Sequence, residues 1–297
     1  MSLNHKLKNS IGKIEKVMIV SFLVNILLVA MKITSGILGS SGALIADGVH
    51  SFSDLVTDII AIIGNNFAKR PADSEHPFGH GKTEYITSLI IGIVIILVGF
   101  TLISEMMKSQ IAYPSRIVII ISLITIITKL LLASFLVNNG KKHDNSILIA
   151  SGKESATDVL SSIIVMLSAI AMQFADKYKL LQYSDKIAGV IVGVFIINVG
   201  FGIVKKNISM TTGEQVTDEE YLKQINDIII NTSNVIGVEK LVILKYGPYY
   251  KLEGDVILKN DLLLNAAHDT IDLIESKIKN YDAKITYMTI HMSPHIE

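Results

Sequence analysis

Long apolar runs alternate with short polar segments over the first two thirds of the chain. Six of these runs are close to the roughly 20 residues that a helix needs to cross the hydrocarbon core of a bilayer. They lie at residues 17–38, 41–64, 85–106, 116–137, 145–172 and 186–204. The pattern therefore predicts an all-α membrane domain of six spanning helices within residues 1–208.

Beyond residue 208 the pattern becomes that of a soluble domain. Helical periodicity predicts helices at residues 218–230 and 263–279. Runs rich in β-branched and aromatic residues predict strands at 238–246, 249–258 and 284–291. The order αββαβ is typical of a small two-layer α/β domain, ferredoxin-like in outline, which we expect at residues 209–297.

Composition narrows the chemistry that is open to this chain. Half of its 297 residues are apolar and only 18% are charged, as expected for a protein embedded in a lipid bilayer. Basic and acidic residues balance at 27 each, so no global basic field attracts nucleic acid. The chain has no cysteine, and any metal site must therefore use histidine and carboxylate.

The charges in the loops predict an orientation. Eleven Lys and Arg residues fall on the side of the membrane that holds both termini. Six fall on the opposite side, and Lys32 is counted among these six. Positive residues favour the cytoplasmic side, so both termini are expected there. An even number of spans agrees with that arrangement. We expect an integral membrane protein, with a bacterial inner membrane as its natural location.

The second predicted span carries four ionisable residues, Asp47, His50, Asp54 and Asp58, on one helical face. A charge at the centre of a membrane helix costs about 2.5–3.5 kcal/mol on insertion scales, so such residues indicate a function. The fifth span carries an acidic pair one turn apart, Glu154 and Asp158. His50 and Asp54 of one helix can therefore converge with that pair of the other.

One imidazole and three carboxylates form a nitrogen-and-oxygen ligand set that suits Zn²⁺, Fe²⁺ or Mn²⁺ and disfavours Cu⁺. Two alternatives stay open at this point. The same residues could form buried ion pairs that join helices, with Lys129 and Lys153 as partners. They could also form a proton relay without metal.

Two further groups of residues are candidate metal ligands. Asp73, His76 and His80 lie in a loop rich in Pro and Gly that can fold around one ion, or that is simply a solvated turn. The C-terminal domain holds a weaker set, because its members are far apart in sequence and could be ordinary surface residues. These are Asp255, His268 and His291.

Taken together, these motifs closely resemble the cation diffusion facilitator family of divalent-metal exporters over nearly the whole chain. The most specific are the stretch Ala-Asp-Gly-Val-His-Ser-x-Ser-Asp at residues 46–54 and His-Pro-Phe-Gly-His-Gly-Lys at 76–82. The resemblance implies a homodimer that exchanges metal ions for protons by alternating access. It implies no cofactor; divalent metal ions are the substrate and possible structural ligands.

The resemblance also implies roles for the candidate residues. The transport site would comprise His50, Asp54, Glu154 and Asp158. The loop site would comprise Asp73, His76 and His80. A third site, which stabilises the dimer, would comprise Asp255, His268 and His291. Zinc-selective members usually have histidine at the position of Glu154. A carboxylate in place of that imidazole favours Mn²⁺ or Fe²⁺ without excluding Zn²⁺. This chain departs from the family pattern at two places. Some members have an acid at the position where this chain has Ser293. In the family, the lysine that matches Lys82 pairs with an acid near the end of span six, whereas the first acid after Lys206 in this chain is Glu214.

Two other function classes compete with transport. A polytopic metal-dependent enzyme would usually carry a compact motif such as His-Glu-x-x-His, which the sequence lacks. A membrane-anchored metal sensor would need no ligands in the middle of the bilayer. We therefore expect a transporter of divalent cations rather than an enzyme.

Overall fold

The computed structural model describes the backbone of residues 2–68, 70–142 and 146–295. Within these ranges it describes the side chains of all residues except 2–15, 57, 58, 60–67, 146 and 147.

Six long helices occupy the first 211 residues, one at each predicted span. They are α1 (Ser2–Leu38), α2 (Gly42–Ala68), α3 (Thr83–Lys108), α4 (Arg116–Lys142), α5 (Ser146–Met172) and α6 (Ser184–Thr211). A short 3₁₀ helix, Lys179–Tyr183, precedes α6. Among the described residues, five helices are long and apolar enough to cross a membrane. A helical membrane region is thus confirmed, whereas the count of six spans stays a prediction.

The chain forms two compact units. One comprises Met1–Ile59 with Gly92–Phe201, and the other comprises Ile60–Ile91 with Gly202–Glu297. Residues 60–91 therefore group with the C-terminal residues, although they lie within the predicted membrane domain. The functional division at residue 208 stays a prediction.

Glycines allow close helix packing in the first unit. A Cβ atom on Gly152 of α5 would lie 2.7 Å from Val137 Cγ2 and 3.0 Å from the carbonyl oxygen of Ala133, both on α4. A Cβ atom on Gly48 of α2 would lie 2.7 Å from Ile33 Cγ1 on α1. Since small residues let helix backbones approach each other, these contacts hold α5 against α4 and α2 against α1.

The start of α2 is fixed by a carboxylate on the first turn of α6. The hydroxyl of Ser41 donates to Asp185 Oδ1 (2.6 Å), and the backbone N–H groups of Gly42 and Ala43 donate to Asp185 Oδ2 at 2.8 and 3.3 Å. These contacts satisfy donors that a helix N-terminus leaves unpaired and place a negative charge at its positive end. The position of α2 is therefore tied to α6.

The C-terminal residues form the predicted αββαβ order. The elements are α7 (Glu219–Ile230), β1 (Val235–Tyr246), β2 (Tyr249–Leu258), α8 (Leu264–Tyr281) and β3 (Ile285–Pro294). Strand β2 pairs with β1 in an antiparallel hairpin and with β3 in parallel, so α8 is the crossover connection. A small mixed sheet in an α/β domain is confirmed, and the finer description as ferredoxin-like stays a prediction.

One apolar core joins both helices of this domain to the sheet. Ile225 of α7, Ile274 and Ile278 of α8, and Leu252 of β2 are fully buried in it. Asp218, predicted as the first residue of the helix, is instead its N-cap and accepts a 3.0 Å hydrogen bond from the backbone N–H of Tyr221. The sequence pattern and the structure differ only at the ends of these elements.

Candidate metal centre

A cluster of three ligands, two of them buried and one half-buried, lies between α2 and α5. It consists of His50, Asp54 and Asp158, and the ligand atoms of these residues all lie within 4.8 Å of one another. His50 and Asp54 are one turn apart on α2, with Nδ1 and Oδ1 separated by 4.0 Å. The structure thus brings together three of the four residues predicted for the membrane site.

The imidazole of His50 has an unsatisfied nitrogen. His50 is 8% exposed, and its Nδ1 is buried without a hydrogen-bond partner among the described residues. A buried polar atom that loses its contact with water and gains no partner is destabilising. A neutral imidazole nitrogen is also a common metal ligand, so a cation bound beside the two carboxylates would satisfy it.

A cavity of about 50 Å³ adjoins the cluster, with room for an ion or a few waters. Four helices line it, with Ser21 and Asn25 from α1; Ser51, Asp54 and Leu55 from α2; Lys129 from α4; and Ser151, Glu154, Ser155 and Asp158 from α5. Glu154 is exposed at this cavity and lies outside the three-ligand cluster. The fourth predicted ligand therefore lines the site without joining the cluster.

A lysine also faces this cavity. Lys129 Nζ donates to Asp158 Oδ2 at 2.8 Å, and both side chains are almost fully buried. The alternative interpretation of an interhelical ion pair therefore holds for Asp158. Lys153, the other lysine considered as a partner, is exposed.

Asp47 belongs to a separate buried network rather than to the metal cluster. Its Oδ2 lies 2.8 Å from Lys32 Nζ, and both side chains are fully buried. The hydroxyls of Ser161 and Ser162 donate to the same carboxylate at 2.6 and 2.8 Å. Asp47, which the sequence places on the same helical face as His50 and Asp54, thus forms a buried ion pair, with Lys32 rather than Lys129 or Lys153 as its partner. The side chain of Asp58, assigned to that face as well, lies outside the described residues.

Lys32 corrects the orientation count. It was counted with the loop charges opposite the termini, yet it lies inside α1 and its Nζ also donates to Ser51 Oγ at 3.0 Å. A buried ammonium is tolerated because Asp47 compensates its charge. Lys32 thus carries no information about orientation.

In the second unit the loop residues Asp73, His76 and His80 form another group with ligand atoms within 4.8 Å of one another. Asp73 Oδ1 lies 3.2 Å from His76 Nδ1, and Asp73 Oδ2 lies 3.3 Å from His80 Nε2. The backbone N–H of His76 donates to the Asp73 carboxylate at 2.7 Å and lowers the pKa of that group. The loop therefore presents two imidazoles and an ionised carboxylate to one point.

A tyrosine fixes this loop to the β1–β2 hairpin. The hydroxyl of Tyr249 donates to the carbonyl of Phe78 at 2.7 Å and accepts from the N–H of Gly81 at 2.9 Å. Burial raises the pKa of the Tyr249 hydroxyl, which stays neutral. A Cβ atom on Gly81 would lie 1.9 Å from the carbonyl oxygen of Tyr246, so only glycine fits there. The loop ligands are therefore held on a rigid support.

Comparison with known proteins identifies the family of the chain. The model of the cation efflux transmembrane domain matches residues 18–210, and the model of the cation efflux protein cytoplasmic domain matches residues 217–295. The chain belongs to the cation diffusion facilitator family. Members of this family are transporters, which confirms the prediction that the chain is not an enzyme.

Curated relatives of this facilitator cover nearly its whole length. An uncharacterized transporter of Methanocaldococcus jannaschii is 31% identical over 272 residues, which is 90% of this chain and 93% of that protein. The manganese efflux system protein MneP of Bacillus subtilis is 26% identical, over 95% of this chain and 97% of that protein. A cadmium, cobalt and zinc/H⁺-K⁺ antiporter of Bacillus velezensis is 23% identical, over 98% of this chain and 92% of that protein. Export of divalent metal cations is the function these relatives support.

The third predicted set is not brought together in this facilitator. Asp255 and His291 are paired positions on the parallel strands β2 and β3. His268 lies on α8, where its Nε2 is 3.7 Å from Asp272 Oδ2. Among the described residues these three do not form a group within ligand distance, so the C-terminal site stays a prediction.

Lys82, whose counterpart in the family pairs with an acid near the end of span six, has a backbone partner here. Its Nζ donates to the backbone carbonyl of Thr211 at 3.1 Å, and Glu214 instead pairs with Lys245. Thr211 is the last residue of α6, whose terminal carbonyls favour a positive charge. Lys82 thus binds the end of α6 without an acidic side chain.

Sequence reasoning missed the neutral polar residues that line the membrane cavity. Ser21 and Asn25 lie on the apolar helix α1, and nothing in their spacing marks them as ligands or partners. The only available signal is a polar residue within an apolar run. That signal is weak because single polar residues are common in such helices.

Proposed function

We propose that the protein exports Zn²⁺, Mn²⁺ or Fe²⁺ from the cytoplasm in exchange for protons, with the metal bound by His50, Asp54, Glu154 and Asp158. The observation that carries this proposal is the buried cluster of three ligand atoms beside a polar cavity. Ionisable residues inside membrane helices are costly and usually belong to ion pathways, and here they surround a cavity even though Lys129 already pairs with Asp158. Transport out of the cytoplasm is proposed because the relatives include metal efflux proteins.

The same ligands can serve the metal and the proton. With its carboxylates ionised and its imidazole neutral, the cluster attracts a divalent cation. A proton on His50 or on a carboxylate removes a ligand and weakens binding, because metal affinity requires deprotonated ligands. When the site opens to the outside, protonation of a ligand therefore releases the metal ion. The protonated site then carries protons towards the cytoplasm.

Among the three metals, Mn²⁺ is the first choice. The site offers one nitrogen and several oxygens, and oxygen ligands favour Mn²⁺ relative to Zn²⁺. Glu154 lines the cavity where zinc-selective members of the family usually have histidine. Two of the similar proteins are manganese efflux proteins of Bacillus subtilis.

The remaining architecture follows from the family. We propose six spans with both termini in the cytoplasm, residues 1–208 as the transport domain, and residues 209–297 as a cytoplasmic domain that forms a homodimer. The match to a dimerisation domain model supports the homodimer. The loop site, with Asp73, His76 and His80, and the C-terminal set, with Asp255, His268 and His291, would bind metal outside the membrane. A bacterial inner membrane is the proposed location.

Flux into proteoliposomes tests the proposed function. The purified protein is reconstituted with a metal-sensitive dye inside the vesicles, and uptake of Mn²⁺, Fe²⁺ and Zn²⁺ is followed with and without an imposed pH gradient. We expect gradient-driven flux that Asp54→Asn abolishes, since the amide removes a charged ligand of unchanged shape. Asp176→Asn, at an exposed acid outside the cavity, is the control and should transport normally.

Two results would contradict the proposal. Flux through Asp54→Asn at the wild-type rate would show that the cluster is not the transport site. Absence of flux for all three metals, with metal still bound by the full-length protein, would favour the sensor.

A further inference from the structure

We infer that Lys129 is an internal counter-ion of the transport site that moves from Asp158 to Asn25 when a metal ion binds. The inference rests on the proposed function and adds a positioning residue to it. Lys129 Nζ lies 2.8 Å from Asp158 Oδ2, and Lys129 is 4% exposed. An ammonium is therefore in direct contact with a carboxylate that we assign to the metal.

The charge of the site explains why a lysine belongs there. Asp54, Glu154 and Asp158 carry three formal negative charges, and Lys129 reduces the total to two. One divalent cation then neutralises the site. Without Lys129 the occupied site would keep one uncompensated negative charge in a low-dielectric region, where it would hold the cation strongly.

An acceptor for the displaced ammonium is present in the same cavity. Asn25 of α1 lines the cavity, and its Oδ1 is buried without a hydrogen-bond partner among the described residues. A buried amide oxygen without a donor is destabilising, and an ammonium can donate three hydrogen bonds. Movement of Lys129 towards Asn25 would free Asp158 for the metal and satisfy that oxygen.

A purely structural role for Lys129 has less support. A buried ion pair that only joins two helices is often replaceable by apolar residues without loss of stability. Helices α4 and α5 already pack closely at Gly152. Ionisable residues within membrane helices usually belong to ion or proton pathways. The contact of Lys129 with a ligand of the transport site agrees with that rule.

The kinetics of Mn²⁺ flux in proteoliposomes test the inference, because flux reports only on ions that cross. Lys129→Met keeps the length of the side chain and removes its charge. We expect its KM for Mn²⁺ to fall by about tenfold or more and its kcat to fall as well, since tighter binding slows release. Lys129→Arg keeps the charge and should stay close to the wild-type KM. Lys141→Met, at an exposed lysine of the same helix, is the matched control.

The role of Asn25 is tested by a double-mutant cycle. Asn25→Leu removes the acceptor at similar volume, and we expect it to raise the KM several-fold when Lys129 is present. In the Lys129→Met background the same change should have no effect, because no ammonium remains to be moved. An increase in KM of equal size in both backgrounds would show that Asn25 binds the metal directly and would overturn its assigned role.

Failure of the inference differs from failure of the proposed function. If the wild-type protein shows no flux, the proposed function fails. A second outcome is that the wild-type protein transports Mn²⁺ while the KM of Lys129→Met is unchanged or higher. In that case the transport site stands and the counter-ion role of Lys129 is wrong.

Discussion

At the scale of single residues, local partners distinguish Asp47 from His50, two ionisable residues of α2. Asp47 is balanced by Lys32 and by two serine hydroxyls, so it needs no external cation. His50, one turn further along, keeps an unsatisfied nitrogen beside Asp158. Asp47 and His50 therefore differ in their local partners although they lie on the same helix.

Asp185 should stabilise the protein without binding metal. Replacing it with Ala leaves the hydroxyl of Ser41 and the first N–H groups of α2 without their acceptor. We expect the free energy of unfolding to fall by about 1–2 kcal/mol, as for the loss of a helix N-cap. Thermal unfolding of the detergent-solubilised protein measures the change.

Asp176→Ala serves as the control for this substitution, since Asp176 is exposed. Equal melting temperatures for the two variants would show that the Asp185 contacts do not stabilise α2.

Sequence reasoning found ligands where spacing carries information and missed partners where it does not. The i,i+4 spacing of His50 and Asp54 is enough to place both side chains on one face of a helix. By contrast, the pairing of Lys32 with Asp47 depends on how α1 crosses α2, because the two residues are otherwise unrelated in pattern. Asn25, which also lies on α1, is placed at the cavity only by packing.

At the scale of helices, close packing of α4 against α5 should set the geometry of the site. Gly152→Val would drive a side chain into Val137 and into the carbonyl of Ala133. We expect a loss of about 1–3 kcal/mol in stability, typical of overpacking, together with reduced Mn²⁺ flux. Flux and melting temperature of the same preparation measure both effects.

Gly202→Val is the matched control, because a Cβ atom at Gly202 meets nothing within 4 Å. If both valine variants behave alike, the contact between α4 and α5 does not govern the site.

The loop that carries His76 and His80 should depend on one tyrosine hydroxyl. Tyr249→Phe removes the acceptor of the Gly81 N–H and the donor to the Phe78 carbonyl. We expect a loss of about 1–2 kcal/mol and faster hydrogen exchange in the loop. Mass spectrometry of deuterium uptake in peptides that cover residues 73–85 measures it.

Tyr221→Phe provides an equivalent loss elsewhere in the same unit, since the Tyr221 hydroxyl donates to Asp282 at 2.7 Å. Equal loop exchange in the two variants and in the wild type would contradict the role of Tyr249.

Helices and strands were more predictable from the sequence than the segments that they pack against. Long apolar runs and the αββαβ pattern follow from periodicity, and each predicted element is present. The grouping of residues 60–91 with the C-terminal residues was not predictable, because it depends on tertiary contacts such as the hydrogen bond from the Gly81 N–H to the Tyr249 hydroxyl. A Pro- and Gly-rich loop has no periodic pattern that would show which surface it packs against.

At the scale of the whole molecule, metal should stabilise the folded protein. Binding to the native state alone raises stability by about 2.7 kcal/mol at a free metal concentration of 100 times Kd. We expect Mn²⁺ to raise the melting temperature and a chelator to reverse the change. The variant His50→Ala/Asp54→Asn should lose part of this effect and keep the part due to sites outside the membrane.

An unchanged response in that double variant would place all stabilising metal outside the membrane helices. Such a result would leave the buried cluster without a measurable ion.

The most direct test of metal–proton exchange is simultaneous measurement of Mn²⁺ uptake and internal pH in proteoliposomes of the wild-type protein and Asp54→Asn. We predict that Mn²⁺ entry is accompanied by alkalinisation of the lumen in the wild type, and that both signals are lost together in Asp54→Asn. Mn²⁺ entry without any proton movement, or proton movement that persists in Asp54→Asn at the wild-type rate, would contradict exchange at the His50, Asp54, Glu154 and Asp158 site.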